Sequence, residues 1–371
     1  MRRSLTVVSF ALLAGCYNPK IDEGAFQCGP NNACPSGFTC VAMFCVKPGT
    51  RIDMASGPFV GDGKLGRLDL TGTTGTTVTA DTETGEMILS GGTLSGPMPL
   101  VMANADGFKK IDQPNGPRIA LWQFQVLVIP PTVTVRPSTT SGSNVAAFAA
   151  TERITMAGTI DWKTFGGFPG GAGDPGQDVA SGAMNAQPGG DGSGGGGGGY
   201  SQMGMNGAGP TGGRGGGAYG QASVITIHVG QGGAGGGPKM GASIGGRGGP
   251  GGGAVVLASR LVQVLGRIDV AGSPGRAGTG DAGGGGGGAG GTIALSGDEI
   301  TLGPSHSLNA AGGMPGPGSG TGMPGGRGAD GRIWAGAPIV TNQATSADMT
   351  VPFDVPAITQ SAEPILSLPR R

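Results

Sequence analysis

The five cysteines carry the most legible chemistry in this 371-residue chain. Cys16 closes the run Leu13-Ala14-Gly15-Cys16, an aliphatic residue, two small residues and a thiol. Arg2 and Arg3 precede an apolar stretch from Leu5 to Leu13. That stretch is too short for a membrane-spanning helix, which needs about 20 residues, but it suits the h-region of a secretory signal. The small side chains of Ala14 and Gly15 let a peptidase close on the backbone, and the Cys16 thiolate can take a diacylglyceryl group. One acyl chain binds a membrane marginally and two or more anchor stably. The expectation is a lipoprotein signal over residues 1–15 and a mature chain lipidated at Cys16. Tyr17, not an acidic residue, follows the lipid site, which leaves the outer membrane as the expected destination, with the surface or periplasmic face open.

Cys28, Cys34, Cys40 and Cys45 lie in QCGPNNACPSGFTCVAMFC. An even, close-set group in an exported chain reads as a disulfide framework, and four cysteines allow three pairings that sequence does not separate. So short a segment buries little core, so crosslinks must supply its order. Structural zinc sites space ligands by two to four residues, and these gaps are five, five and four. Residues 16–50 are therefore read as a lipid anchor with a cysteine-rich knot or spacer.

Other motifs offer chemistry by pattern only. GDGKLG from Gly61 fits G-x-G-x-x-G, but a dinucleotide site needs a helix next and RLDLTG reads as a strand. GASIG fits G-x-S-x-G around Ser243, yet a nucleophile elbow needs a strand-to-helix turn and a histidine. The chain has two histidines, His228 and His306, and nothing directs either to Ser243. GGRGADGRI from Gly325 approaches a calcium-binding nonapeptide, with Arg332 where an aliphatic residue belongs. Asp174, Asp178, Asp191, Asp281 and Asp330 sit in or beside glycine turns that could hold Ca²⁺, although Asp-Gly turns form without metal. No cofactor is expected, with Ca²⁺ kept as the alternative.

The elements that must position these residues are strands. Removing Arg2 and Arg3 leaves 21 basic against 23 acidic residues. No basic patch stands out, so the counterion release behind nucleic-acid binding is missing. No later run of 18 apolar residues suggests a transmembrane helix. Trp122, Phe124, Val126 and Val128 alternate at period two in IALWQFQVLVI. Shorter strands are predicted over 51–145. From 146 to 345 a plan repeats: AFAATERITMAGTID from Ala147, AVVLASRLVQVLGRID from Ala254, GTIALSGDEITLGPSHSLN from Gly291, and a shortened copy from Gly331. Each unit gives an apolar strand, a corner, an alternating strand, an aliphatic-Asx pair and then glycine. Stacked units bury what one cannot, so the expected fold is all-β, a parallel β-helix or solenoid-like body. Asp161, Asp269 and Asn309 should form one column, placed at a solvated turn because adjacent buried carboxylates repel.

Glycine supplies 84 residues, with six in a row at Gly194 to Gly199 and again at Gly283 to Gly288. A strict Gly-X-Y period is not seen, which argues against collagen. Ordering glycine is entropically costly. The tracts are therefore read as long loops or a loosely packed layer, in preference to a fully ordered polyglycine-II-like bundle. VITIHV from Val224 reads as a strand between tracts. Residues 346–371, with four prolines from Pro352 to Pro369, read as an extended tail that caps the last repeat.

The lipobox LAGC, the CPSGFTC knot, strands such as ITMAGTID and VQVLGRIDV, and the GGGGGGAGGTIAL junction together resemble the glycine-rich secreted lipoproteins of myxobacterial-type envelopes. The resemblance implies an envelope protein with a β-solenoid-like body and supplies no activity to carry over. The expected function is non-enzymatic: a lipid-anchored protein for structure, adhesion or contact with matrix polysaccharide, its partners the membrane and envelope glycan. The alternatives are a polysaccharide lyase or hydrolase using Asp161 and Asp269, and a periplasmic assembly partner. Oligomeric state stays open.

Overall fold

The computed structural model describes residues 36–37, 39–41, 44–46, 62–113, 116–139, 144–163, 185–219, 226–239 and 243–343. The chain divides into two compact units, Met1–Ile52 and Asp53–Arg371. Among the described residues it is all-β, with no α-helix, and its sheets are parallel and mixed. In the first unit β1 (Thr39–Val41) pairs antiparallel with β2 (Phe44–Val46), and the backbone register sets Cys40 opposite Cys45. Cys16, Cys28 and Cys34 lie outside the described residues, as do Asp174, Asp178 and the tail beyond Gln343.

In the second unit the chain alternates between two sheets. The larger takes β3 (Arg67–Asp69), β8 (Ile119–Ile129), β10 (Val145–Met156), β12 (Ala254–Val264), β14 (Thr292–Ser296) and β17 (Arg332–Gly336), neighbours in that order and all parallel. β15 (Glu299–Leu302) and β18 (Ile339–Asn342) extend its second half, and β7 (Phe108–Ile111) pairs antiparallel with the start of β8, beside β3. The smaller sheet runs β6 (Met98–Val101), β5 (Met87–Ser90), β4 (Thr77–Ala80), β9 (Thr134–Pro137), β11 (Thr159–Asp161), β13 (Arg267–Asp269) and β16 (Ser307–Asn309). The sequence repeats superimpose in this register: Ala254 pairs with Thr292, Thr292 with Arg332, and Ile160 with Ile268 and Leu308 in turn.

Burial follows from what each strand half faces. β8, β10 and β12 are buried on both faces over their first six residues and alternate afterwards. Near-continuous apolar runs are what a parallel strand covered on both sides requires. One face meets the smaller sheet in a core holding Trp122, Phe124, Phe148, Val135, Ile160 and Ile268. Trp122 stacks on Phe148 at 5.1 Å and donates from Nε1 to the Gly85 carbonyl at 2.7 Å, so its one polar atom is satisfied. The opposite face, with Leu121, Ala147 and Val256, is covered by Ile227 and Val229. Residues 226–229 are not a strand, contrary to the reading of VITIHV; Gln113 pins them by exchanging hydrogen bonds with the Ile227 amide and carbonyl.

The described glycine tracts are ordered, which corrects the expectation of long loops. Their hydrogen bonds repeat every third residue. Gly283, Gly286 and Ala289 donate to Gly237, Ala234 and Gln231, running antiparallel. Gly284, Gly287 and Gly290 donate to Met323, Gly326 and Ala329, running parallel. Gly285, Gly288 and Gly291 donate to Arg276, Ser273 and Val270. The carbonyls of the same tract accept from 246–252, from Gly195 and Gly198, and from Gly313 and Gly316. A period of three with every bond leaving the chain is the geometry of polyproline-II helices packed side by side. The tract 283–290 is thus a rod ringed by 194–199, 231–237, 246–252, 270–276, 313–316 and 323–329. The tract 194–199 is the centre of a second, fused ring that adds 187–189, 203–208 and 213–217. The two runs of six glycines are the two fully surrounded rods. The entropy of ordering glycine is offset by hydrogen bonds between rods on all three faces of each turn.

Close approach is why glycine is needed there. A Cβ on Gly284, Gly286 or Gly288 would stand 2.0 Å from the carbonyl oxygen of Gly316, Gly196 or Pro250. The rods are also continuous with the sheets. Rods 246–252, 283–290 and 323–329 run parallel and pass directly into β12, β14 and β17 in the same lateral order, while 270–276 and 313–316 leave β13 and β16.

Candidate functional site

The aliphatic-Asx column forms in the register expected, Asp161 beside Asp269 beside Asn309. Its setting differs from expectation. The Asp269 side chain is only 3% exposed, not solvated. Repulsion is relieved by cations: Lys163 Nζ lies 3.6 Å from Asp161 Oδ2 and 3.7 Å from Asp269 Oδ2, and Arg267 Nη2 lies 2.6 Å from the latter oxygen. Asn309 Nδ2 donates to Asp269 Oδ1 at 3.1 Å. The third rung is neutral, so Lys163 and Arg267 have two carboxylates to pair and not three.

The column also has a local task that the repeat pattern encodes. Asp269 Oδ1 accepts the Ala271 N–H at 3.1 Å, and Asn309 Oδ1 accepts the Ala311 N–H at 3.2 Å. These are Asx turns, a side chain bonding its own backbone two residues on. Each steers a strand into the rod that follows. Asp69, at the end of β3, makes the same Asx turn with the Thr71 N–H, there on the way to β4. The Thr71 bond and then Arg67 hold its carboxyl at about 2, below the usual range.

A second cluster, which sequence reasoning missed, closes the ends of the two central rods where they meet the larger sheet. Tyr200 ends one glycine run, and Ala289 to Thr292 end the other. The Tyr200 and Tyr219 rings lie 5.0 Å apart and cluster with Ala289 and Ala329. Tyr200 Oη lies 2.6 Å from Thr292 Oγ1, which in turn donates to the His228 carbonyl at 2.7 Å. Burial pushes the Tyr200 phenol up to about 12 and Tyr219 well above its ordinary value. His228 sits edge-on to Tyr219 at 5.5 Å, and burial, then the Arg332 guanidinium, lower its pKa. Arg332 lies 5.7 Å over the Tyr200 ring and 5.9 Å over Trp334, within cation–π range. Gln231 completes the seal by accepting the Gly199 N–H and donating to Asn185. The available signal was an aromatic residue directly after a six-glycine run. The chemistry is that of a buried polar plug, with each phenol and hydroxyl engaged.

The remaining motif residues fall apart in space or are otherwise engaged. Residues 62–66 form a turn into β3, with no helix following. Ser243 donates its hydroxyl to the Lys239 carbonyl. His228 is in the aromatic plug, and His306 is buried with Nδ1 2.6 Å from the Gly303 carbonyl. Asp330 Oδ1 accepts from the Gly312 N–H at 2.8 Å and from Arg327 at 2.9 Å, and Asp281 Oδ1 accepts the Thr321 N–H at 2.9 Å. That backbone bond lowers the Asp281 pKa. Asp191 occupies a turn at φ 43°. Among the described residues no three His, Cys, Asp or Glu side chains converge as a metal group. Among them, too, no helix is long and apolar enough to cross a membrane. No family model, no curated protein and no solved structure matches the chain.

Proposed function

We propose that this chain is a lipid-anchored envelope protein of non-enzymatic function. A β-solenoid body would be stiffened by a polyglycine-II lattice that presents a surface for structure, adhesion or contact with matrix polysaccharide. The observation that carries the reading is the lattice itself. Interior glycines stand so close to neighbouring carbonyls that even a methyl group is refused. A body of that density suits holding a fixed surface and not opening around a substrate. The alternation of one chain between two sheets whose successive repeat strands pair in parallel supports the solenoid. Lys163 and Arg267 on Asp161 and Asp269 support a structural role for that column over an acid–base pair. The sequence supplies the rest of the proposal: lipidation at Cys16, a disulfide knot from Cys28, Cys34, Cys40 and Cys45, and an outer-membrane address, as in the lipoproteins the chain resembles.

The experiment is protease and antibody accessibility on intact cells, with Cys16→Ser alongside. The expected result is a wild-type protein shaved from whole cells and a variant released or blocked in export. Full protection until the outer membrane is opened would replace surface contact with periplasmic scaffolding. Unchanged membrane retention of Cys16→Ser would overturn the anchor.

A further inference from the structure

The two lateral ends of the body differ. At the first, antiparallel strands close the sheets: β7 lies against β8, and β5 and β6 lie beyond β4. At the other end β17, β18 and β16 are the last strands, each with a strand partner on one side only among the described residues. The polar residues of this rung, Asn309, Arg332 and Asn342, are all engaged. What stands open is apolar. Rods 203–208, 323–329 and 313–316 lie side by side along the same end, since Met205 donates to the Arg327 carbonyl and Gly325 to the Gly316 carbonyl. They present Met205 at 62%, Met323 at 44% and Met314 at 64% exposure, and β18 adds Ile339 at 55%. Stacked repeats need a cap at each end, and methionine is the side chain that best fits an irregular apolar partner.

We infer that this end is the docking surface for the chain's own residues 344–371. That segment starts at the face, because the Gln343 N–H bonds the Leu302 carbonyl of β15. Extended at about 3.3 Å per residue it reaches about 90 Å, enough to cross the face. It carries Val351, Phe353, Ile358, Ile365 and Leu366 as apolar anchors. Its prolines, at 352, 356, 364 and 369, exclude it from a sheet interior and suit an outermost edge, where a missing N–H points to solvent. The segment thereby does for the last repeat what β5, β6 and β7 do for the first.

Methionine oxidation in the purified full chain tests this, with peptide mapping after dilute hydrogen peroxide. Met102, 63% exposed beside β6 at the far edge of the smaller sheet, is the internal reference. A tail on the face makes Met205 and Met314 oxidise at least about fivefold more slowly than Met102, which is as exposed as they are in the structure. Truncation after Gln343 should bring the rates together, and so should Phe353→Asp with Ile365→Asp in the full chain if the truncated protein does not fold. Rates equal to that of Met102 in the full chain would overturn the assignment. So would protection that survives both changes, or protection that rises with protein concentration, which would name a second copy as the occupant.

Discussion

Gly286→Ala is the sharpest test of the lattice. Replacing glycine by alanine where the backbone tolerates it ordinarily stabilises by about 0.4–1 kcal/mol, through the unfolded chain. The lattice reverses the sign. The new Cβ would stand 2.0 Å from the Gly196 carbonyl oxygen. Ordinary C···O contact is about 3.3 Å, so rods 194–199 and 283–290 must part by about 1.3 Å. They are joined by Gly195 to Gly284 at 3.0 Å and Gly198 to Gly287 at 2.9 Å, and that displacement would carry both bonds beyond range. Two lost bonds that leave buried groups unpaired, at about 1–3 kcal/mol per bond, give a loss of about 2–6 kcal/mol. At about 2 °C per kcal/mol for a body of this size, melting should fall by roughly 4–12 °C. Gly96→Ala is the control, because nothing lies within 4 Å of a Cβ there and its φ is not positive. Differential scanning calorimetry on both variants reads the difference. Gly286→Ala melting with the wild type, or Gly96→Ala falling as far, would refute the packing argument.

Hydrogen exchange across residues 190–218 should show strong amide protection, at Gly194, Gly197, Gly213 and Gly216 above all, since each donates to another rod. Exchange at random-coil rates would restore the loop reading. Lys163→Met should cost about 1–2 kcal/mol by leaving Asp161 and Asp269 on adjacent rungs with Arg267 as their remaining cation, and Asp161→Asn in the same chain should recover most of it in a double-mutant cycle. His228 has its pKa lowered in the folded state, so the unfolded chain binds the proton more readily. Its contribution is fully present above the unfolded value of about 6.5 and is lost as pH falls through the folded pKa, at up to about 1.4 kcal/mol per pH unit. Urea titrations from pH 7.5 to 5 should show that slope, and His228→Gln should flatten it; an unchanged slope assigns the effect elsewhere.

The strands and their register were legible because periodicity and burial agree. Ile160, Ile268 and Leu308 share one alternation and stack in one column. The environment of that column was less legible. Asp161 and Asp269 looked incompatible with burial because Lys163 and Arg267, each two residues away along the chain, do not announce that they point back at them. The aromatic plug was hidden for a related reason. Tyr200, Tyr219, His228, Thr292 and Arg332 come from separate stretches of chain, and only the fused rings of rods bring them together.

The order of the glycine tracts is invisible to a search for one collagen-like period along the whole chain, because glycine demand here varies with position in the lattice. In a rod of three residues per turn, each face against a neighbour must be bare. The stretch 272–278, at the rim, reads Gly-Ser-Pro-Gly-Arg-Ala-Gly, and only its Gly272, Gly275 and Gly278 face the carbonyls of Gly288, Gly285 and Ala282. Its Pro274 and Arg276 point to solvent. The stretch 231–237 is enclosed further, and it spends all but Gln231 and Ala234 on glycine. The rods ringed on every side, 194–199 and 283–288, have glycine at each position. The first residue after each run is Tyr200 or Ala289, where the neighbour becomes the aromatic plug and a Cβ fits. Glycines per turn therefore count the covered faces of a rod, and an unbroken glycine run marks a rod that is covered on all three.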